Sequence, residues 1–320
     1  MKHSAIIPVL AALLFATACT KTIEFDGQQT QSLPVLISLP NSDSTLSLRL
    51  TYSRFFLDNS PVTPIKNASI RVELNGSNPS VSFSPKDNGV YLSNLVLHDN
   101  DTLTLFVSIP NKGDISAGCR MPFRPHISDL ATDSIHIDSY SYPNDPYNPN
   151  DSTLHYWAEG NLHFHFTLHD AADQDNYYMI CAYTINNNTQ HKSYYELDIE
   201  DNILFDNTGS NEHIDLDIED DPSMGSQIFF TDERINGHNH TIKGQICYHY
   251  ADLSQETPYI EVRALSRDTY LHLITKNKQS KSNDILGFIS EPVQIHSNVH
   301  GGIGILGAQS AVVQPINLIK

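Results

Sequence analysis

EPVQIHSNVHGGIGILGAQ, residues Glu291 to Gln309, carries four glycines within seven positions: Gly301, Gly302, Gly304 and Gly307. The fold class turns on how this stretch is read. A glycine loop that cradles phosphate needs a strand before it and a helix after it, whose N-terminus supplies free N–H groups and the positive end of a dipole. Here the glycines lead into Ile305, Leu306, Ala308 and a run through Val312 and Val313 to Pro315, which is too short and too β-branched for a crossover helix. No Lys-Ser/Thr pair follows. The stretch therefore reads as a strand at Val293–Ile295, a bend with room for positive φ, and a terminal strand over Ile303–Leu306 or beyond.

With a nucleotide fold set aside, the rest of the chain reads as strands. Residues 33–39, 45–52, 68–74, 90–92 and 102–108 are short, apolar or alternating, and Asn75-Gly76 and Asp87-Asn88-Gly89 mark turns. Strands at this spacing predict a β-sandwich over residues 30–122, closed by Pro122 and Pro125. Residues 139–153, SYSYPNDPYNPNDST, read as a loop by their Pro, Asn and Asp content. NLHFHFTLH (161–169) alternates most sharply, with Leu162, Phe164, Phe166 and Leu168 on one face and His163, His165, Thr167 and His169 on the other. Further strands are expected at 176–185, 227–230, 241–249 and 259–265, with one short amphipathic helix at Arg267–Lys276. The expectation is an all-β protein: the sandwich, then a larger, mostly antiparallel β-rich unit over 123–320. Nothing repeats strand and long helix as a parallel α/β sheet requires.

The N-terminus, MKHSAIIPVLAALLFATACTKT, has a basic start, an apolar stretch from Ala5 to Phe15, and small residues before Cys19. It reads as a signal peptide over 1–18, too short to span a bilayer. Cys19 sits where a bacterial lipobox places the acylated cysteine, so 19–29 would be anchor and linker. Each buried CH₂ contributes about 0.8 kcal/mol, so two or three acyl chains hold where one is marginal.

The chain has 37 acidic and 19 basic side chains and a formal charge of −18. That balance speaks against nucleic acid, whose affinity rests on phosphate neutralisation. Beyond Cys19 there are Cys119, Cys181 and Cys247, an odd number that argues against a disulfide framework and leaves room for one bridge, Cys181–Cys247.

Three groups are candidates for chemistry. His163, His165 and His169 share a face, with alternate Cβ atoms roughly 7 Å apart, so they form the transition-metal candidate, set against an ordinary solvated strand face. The acidic region Tyr194–Asp221 has enough carboxylates for calcium but lacks EF-hand spacing, and solvated strand edges explain it as well. Tyr140, Tyr142, Tyr147 and Trp157 form the candidate aromatic platform for a ligand, set against core packing. No G-x-S-x-G or H-E-x-x-H occurs, so the sequence points away from an enzyme.

Several segments in order resemble the domain-of-unknown-function family 4249: Cys19 followed by IEFD (23–26), NASIRV (67–72), DNGVY (87–91), HD (169–170) leading to NYY (176–178), and FTD (230–232) leading to NG (236–237). RDTY (267–270) and the run from EP (291–292) through SN (297–298) to GGIG (301–304) complete the set. The resemblance implies lipid-anchored outer-membrane proteins of Bacteroidetes-type bacteria, an Ig-like N-terminal sandwich, display at the cell surface, and association with a TonB-dependent receptor barrel. It carries over no catalytic residues. The expected role is an accessory binding or docking lipoprotein of nutrient uptake; the alternative is a cell-surface interaction or adhesion protein without a transported ligand.

Overall fold

The fold comes from a computed structural model that describes residues 31–55, 58, 60–143, 154–172, 174–200, 203–204, 227–249, 256–286 and 293–318. Cys19 and the signal segment lie outside the described residues. No helix among the described residues is long and apolar enough to cross a membrane.

The architecture is all-β with one long helix. The first unit is a sandwich. One sheet runs β15-β1-β2-β5-β4, built from β1 (Pro34–Ser38), β2 (Thr45–Tyr52), β4 (Phe83–Pro85), β5 (Val90–Val96) and β15 (Ile303–Leu306). The other runs β3-β6-β7, from β3 (Ser69–Leu74), β6 (Thr102–Ile109) and β7 (Gly113–Arg120). Alternation fills the space between them: Leu46, Leu48 and Leu50 of β2 meet Leu103, Leu105 and Val107 of β6, all buried. Tyr91 lies in that core, and its hydroxyl donates to the Ile65 carbonyl at 2.9 Å.

The unit expected to close at residue 122 is completed from the far end of the chain. β15 pairs in parallel with β1 (Val35↔Ile303 through Ser38↔Leu306), and Val299, Leu306 and Ala308 belong to the sandwich core. The glycines allow this. A Cβ on Gly304 (φ +115°) would lie 2.0 Å from the Leu36 carbonyl oxygen, and one on Gly301 (φ +76°) 2.5 Å from that of Asp114. The strand expected at Val293–Ile295 is absent; residues 293–299 make no ladder there.

The second unit is one strongly curved sheet, β16-β14-β10-β11-β13-β9-β8, with β12 also on β10. Its strands are β8 (His126–Pro143), β9 (Leu154–His169), β10 (Tyr177–Asn186), β11 (Lys192–Ile199), β12 (Gln227–Thr231), β13 (Asn239–His249), β14 (Glu256–Leu265) and β16 (Gln309–Pro315). Its edges approach one another, and Thr132 of β8 donates to the Asn317 carbonyl just past β16 at 2.7 Å. Leu162, Phe164, Phe166 and Leu168 of β9 point into the enclosed core with Ile180, Ile246 and Val262. The opposite face of β10 is buried too: Met179, Cys181 and Tyr183 pack with Phe229 and with Leu273 of α1 (Arg267–Leu286).

Residues 139–143, expected in a loop, instead continue β8, because Ser139–Pro143 pair with Ala158–Leu154 of β9 and Tyr suits a strand; residues 144–153 lie outside the described ones. The helix, expected to be short, runs for 20 residues. Ser266 caps it, its hydroxyl accepting from the Thr269 amide at 3.3 Å, and Asp268 sits favourably in the first turn.

Cys181 and Cys247 are free thiols, as is Cys119. β11 lies between β10 and β13, so the two are separated by about 10 Å, twice the strand spacing, beyond the reach of a disulfide. Burial pushes the Cys119 and Cys181 thiols up to about 12.

The entry to β10 is held by a polar clasp. The Asn176 amide side chain donates to Asp170 Oδ1 (3.1 Å) and Asp232 Oδ2 (3.0 Å), while its backbone N–H donates to Asp232 Oδ2 (2.9 Å). The Tyr178 hydroxyl and the Gly237 amide donate to Asp170 at 2.7 and 2.8 Å. Burial, more than the nearby Asp170 charge, raises the Asp232 carboxyl above its usual range.

Gly304→Ala is expected to lower unfolding stability by at least about 2 kcal/mol, because it combines a left-handed backbone with a collision against main chain. Gly76→Ala, at φ +74° with open space around it, carries only the backbone penalty of about 1–2 kcal/mol. Urea melts of the two variants check the ordering.

Candidate functional site

On the outward face of the first sheet, apolar side chains stay partly exposed. On β1, Leu36 faces the sandwich core, while Val35 and Ile37 turn to the other side, with Leu39 just beyond. Ile37 and Ile303 keep 43% and 38% of their surface exposed, a large amount for isoleucines on two paired strands. Helix α1 stands across from this face, and the segment 294–297 runs along it. Together they enclose a hollow of about 800 Å³ with mainly aliphatic walls from Val35, Ile37, Leu39, Leu273, Ile295 and Ile303. Two other hollows, about 520 and 390 Å³, are smaller and more polar. The large one lies within the size range of small-molecule sites.

Polar groups frame the apolar walls. Arg49 of β2 pairs in register with Ile37, and its Nε donates to the Asn88 carbonyl at 3.3 Å. His272 and Lys276 stand one turn apart on α1 and line the same hollow. His272 Nδ1 donates to the His296 carbonyl at 2.7 Å, which leaves Nε2 of the neutral ring as an acceptor.

The wall opposite the sheet is tied down by a network around Asp268. His296 Nε2 donates to Asp268 Oδ1 at 2.7 Å, and the His296 amide donates to Thr275 Oγ1 at 2.9 Å. The Asn298 side chain makes four bonds: Nδ2 donates to Asp268 Oδ2 (3.2 Å), the Leu306 carbonyl (2.9 Å) and the Gly118 carbonyl (3.2 Å), and Oδ1 accepts from the Leu306 amide (2.9 Å). Thr269 Oγ1 accepts from the Ala308 amide at 2.8 Å. A Cβ on Gly307 would lie 2.3 Å from that hydroxyl oxygen. The His296–Asp268 pair and the His272 bond to the His296 carbonyl both hold segment 296–298 against the start of α1.

The histidine face lies where alternation puts it, yet its members do not converge. His163 Nδ1 is 3.7 Å from Glu200, His165 Nδ1 is 2.7 Å from Asp133, and His169 bonds to Ser128 and Asn239 while stacking on His126 at 4.4 Å. Among the described residues no group of three His, Cys, Asp or Glu side chains is arranged to hold a metal ion. Of the acidic calcium candidates, Glu196 and Asp198 lie on β11 with Glu200 just after it, and the carboxylates of 205–221 lie outside the described residues.

Tyr140 and Trp157 are register partners, and Tyr142 pairs with His155. Among the described residues β13 pairs with β9 from Glu159 to His169, and residues 139–143 pair with 154–158. Tyr147 lies outside the described residues.

The hollow was missed in the sequence, although one signal for it was present. PVLISL (34–39) does not alternate apolar with polar, as a strand with one solvated face does.

The family model DUF4249, a domain of unknown function, matches residues 20–314, and the chain belongs to that family. No curated protein matches the chain.

Burial holds the His272 ring below its ordinary pKa. The unfolded chain therefore takes up this proton as pH falls through about 6.5, before the folded chain does. Stability from the neutral ring is complete above that value and declines as pH drops toward the folded pKa. His272→Gln is expected to make the loss of stability as pH falls below about 6.5 shallower. Urea melts at each pH test this; identical slopes would assign the loss to other groups.

Proposed function

We propose that this chain is a lipid-anchored outer-membrane protein that binds a small molecule and serves as an accessory component of a TonB-dependent uptake system. The observation that carries the binding part is the hollow of about 800 Å³ between the first sheet and α1, with aliphatic walls and a few polar groups at fixed places. The membrane part is supported by the signal segment and Cys19. A two- or three-chain anchor would leave the strand-built body free to sit beside a barrel. Binding without catalysis fits a site whose histidine and aspartate hold the main chain.

Two measurements test the reading. Cys19→Ser is expected to abolish palmitate labelling and to move the protein out of the membrane fraction. Pull-down of the acylated protein from outer membranes in mild detergent is expected to recover a barrel receptor in near-equal amount. Recovery of the lipoprotein alone would overturn the docking role and favour a surface interaction or adhesion protein instead.

A further inference from the structure

One end of the sandwich exposes a different mixture of side chains from the rest of the chain. β1 starts there beside the end of β2 (Pro34↔Tyr52), β5 starts beside β2 (Val90↔Arg49), and β6 turns into β7 (Ile109↔Gly113). The two sheets meet at this end, where Lys112 Nζ lies 5.8 Å over the Tyr52 ring. Ser32, Tyr52, Arg54 and Lys112 line one open hollow of about 520 Å³. Leu33 and Val62 keep 44% and 43% of their surface exposed here. Neither is on a loose tail. The Leu33 amide donates to Ser53 Oγ at 2.9 Å, the Ser53 amide donates to the Leu33 carbonyl at 2.8 Å, and the Tyr52 amide donates to the carbonyl of Thr63, next to Val62, at 2.9 Å.

The charge at this end runs against that of the chain. Arg54, Lys66, Lys86 and Lys112 are all exposed, and the carboxylates beside them are Asp58, Asp87 and Asp114. Bases thus outnumber acids here, whereas the whole chain has 37 acids and 19 bases. Asp58 is already engaged, accepting from the Ser60 amide at 2.8 Å. At the opposite end of the sandwich the cations are tied down, Arg124 to Asp43 and Arg120 to Asn100. Exposed charges act over a Debye length of about 10 Å, so at a surface the local excess decides, not the total of the molecule.

We propose that this end of the sandwich is the face the protein lays against an anionic bilayer, with Leu33 and Val62 at the headgroup layer and Lys66, Lys86 and Lys112 toward lipid phosphates. The inference rests on the lipid anchor proposed above. Gln31 follows Cys19 by twelve residues, a reach of at most about 40 Å, and the chain enters the sandwich at this end. A tether of that length gives a weak surface contact a high effective concentration, and the acidic remainder of the molecule is turned away from the lipid.

The test uses the acylated chain on vesicles of phosphatidylcholine alone and of phosphatidylcholine with phosphatidylglycerol in equal parts. Flotation with the vesicles reads the anchor, and the rate of lysine acetylation reads the surface. Lys66, Lys86 and Lys112 are expected to label about threefold or more slowly on the anionic vesicles than on the neutral ones. Lys243, exposed on β13, should label equally on both. The variant Lys66→Gln/Lys86→Gln should return Lys112 toward its rate on neutral vesicles. Flotation with both vesicles but equal labelling of the three lysines would overturn the proposal and leave the anchor standing. Slowing of Lys243 as strong as that of the three would overturn the assignment to this face. A chain that floats with neither vesicle would overturn the anchor, and the orientation with it.

Discussion

Ile303–Leu306 can lie beside Val35–Ser38 only because Gly304 has no side chain to meet the Leu36 carbonyl. That one parallel pairing joins the two ends of the described chain, and much else follows from it. It supplies the edge strand of the first sheet and brings Leu306 and Ala308 into the sandwich core. It also delivers the chain to β16, which closes the second sheet against β14. Parallel strands need a long connection. Here that connection holds the rest of the first unit and all of the second except β16, so neither unit is complete until β15 and β16 are in place. The pairing is thus a non-local contact of the most demanding kind, and loop-closure cost makes such contacts slow to form.

The other fixed points are polar groups that replace missing ladder bonds. Residues 293–299 have no strand partner, and buried backbone groups without partners are costly. Asn298 answers this by presenting an amide to Leu306 as a strand would, bonding both its N–H and its C=O. Asp268 then links that asparagine and His296 to the start of α1. At the entry to β10, Asn176 and Asp170 do similar work where the chain turns away from the sheet. In both places a short side chain with two kinds of hydrogen-bonding atom stands in for regular structure.

Much of the fold was legible in the sequence. β2 runs from Thr45 to Tyr52 as alternation predicts, and the inward face of β9 is Leu162, Phe164, Phe166 and Leu168. The glycine stretch was rightly read as bend and strand, since tight approach to main chain and not phosphate explains Gly301 and Gly304. The failures have physical causes. Ser139–Pro143 carries turn-forming composition, but ladder pairing with β9 overrides it. The later half of α1, KNKQSKSND, has no apolar face from which to read a helix. The return of the chain to the sandwich could not be read, because nothing local in IGIL declares that it will pair with PVLIS about 270 residues earlier. Of the site residues, the histidines were seen because they alternate. The hollow was overlooked because its walls come from three separate segments.

The missed signal says something about the site. In β1 the apolar residues occupy both faces, although only one face meets the sandwich core. The same holds for β15, where Ile303 faces outward and Ile305 inward. Solvated sheet faces ordinarily carry polar side chains, and β2 obeys that rule with Thr45, Ser47 and Arg49 on its outer side. Two neighbouring strands break it together, under a helix whose contact with the sheet leaves room for a hollow. The helix covers part of that surface, and Leu273 is buried in the small core it makes with β10. What remains is bounded by Arg49 and Lys276, two of only 19 basic residues in the chain. The strand pairing that completes the fold thus also builds one wall of the hollow, since Val35, Ile37 and Ile303 all line it.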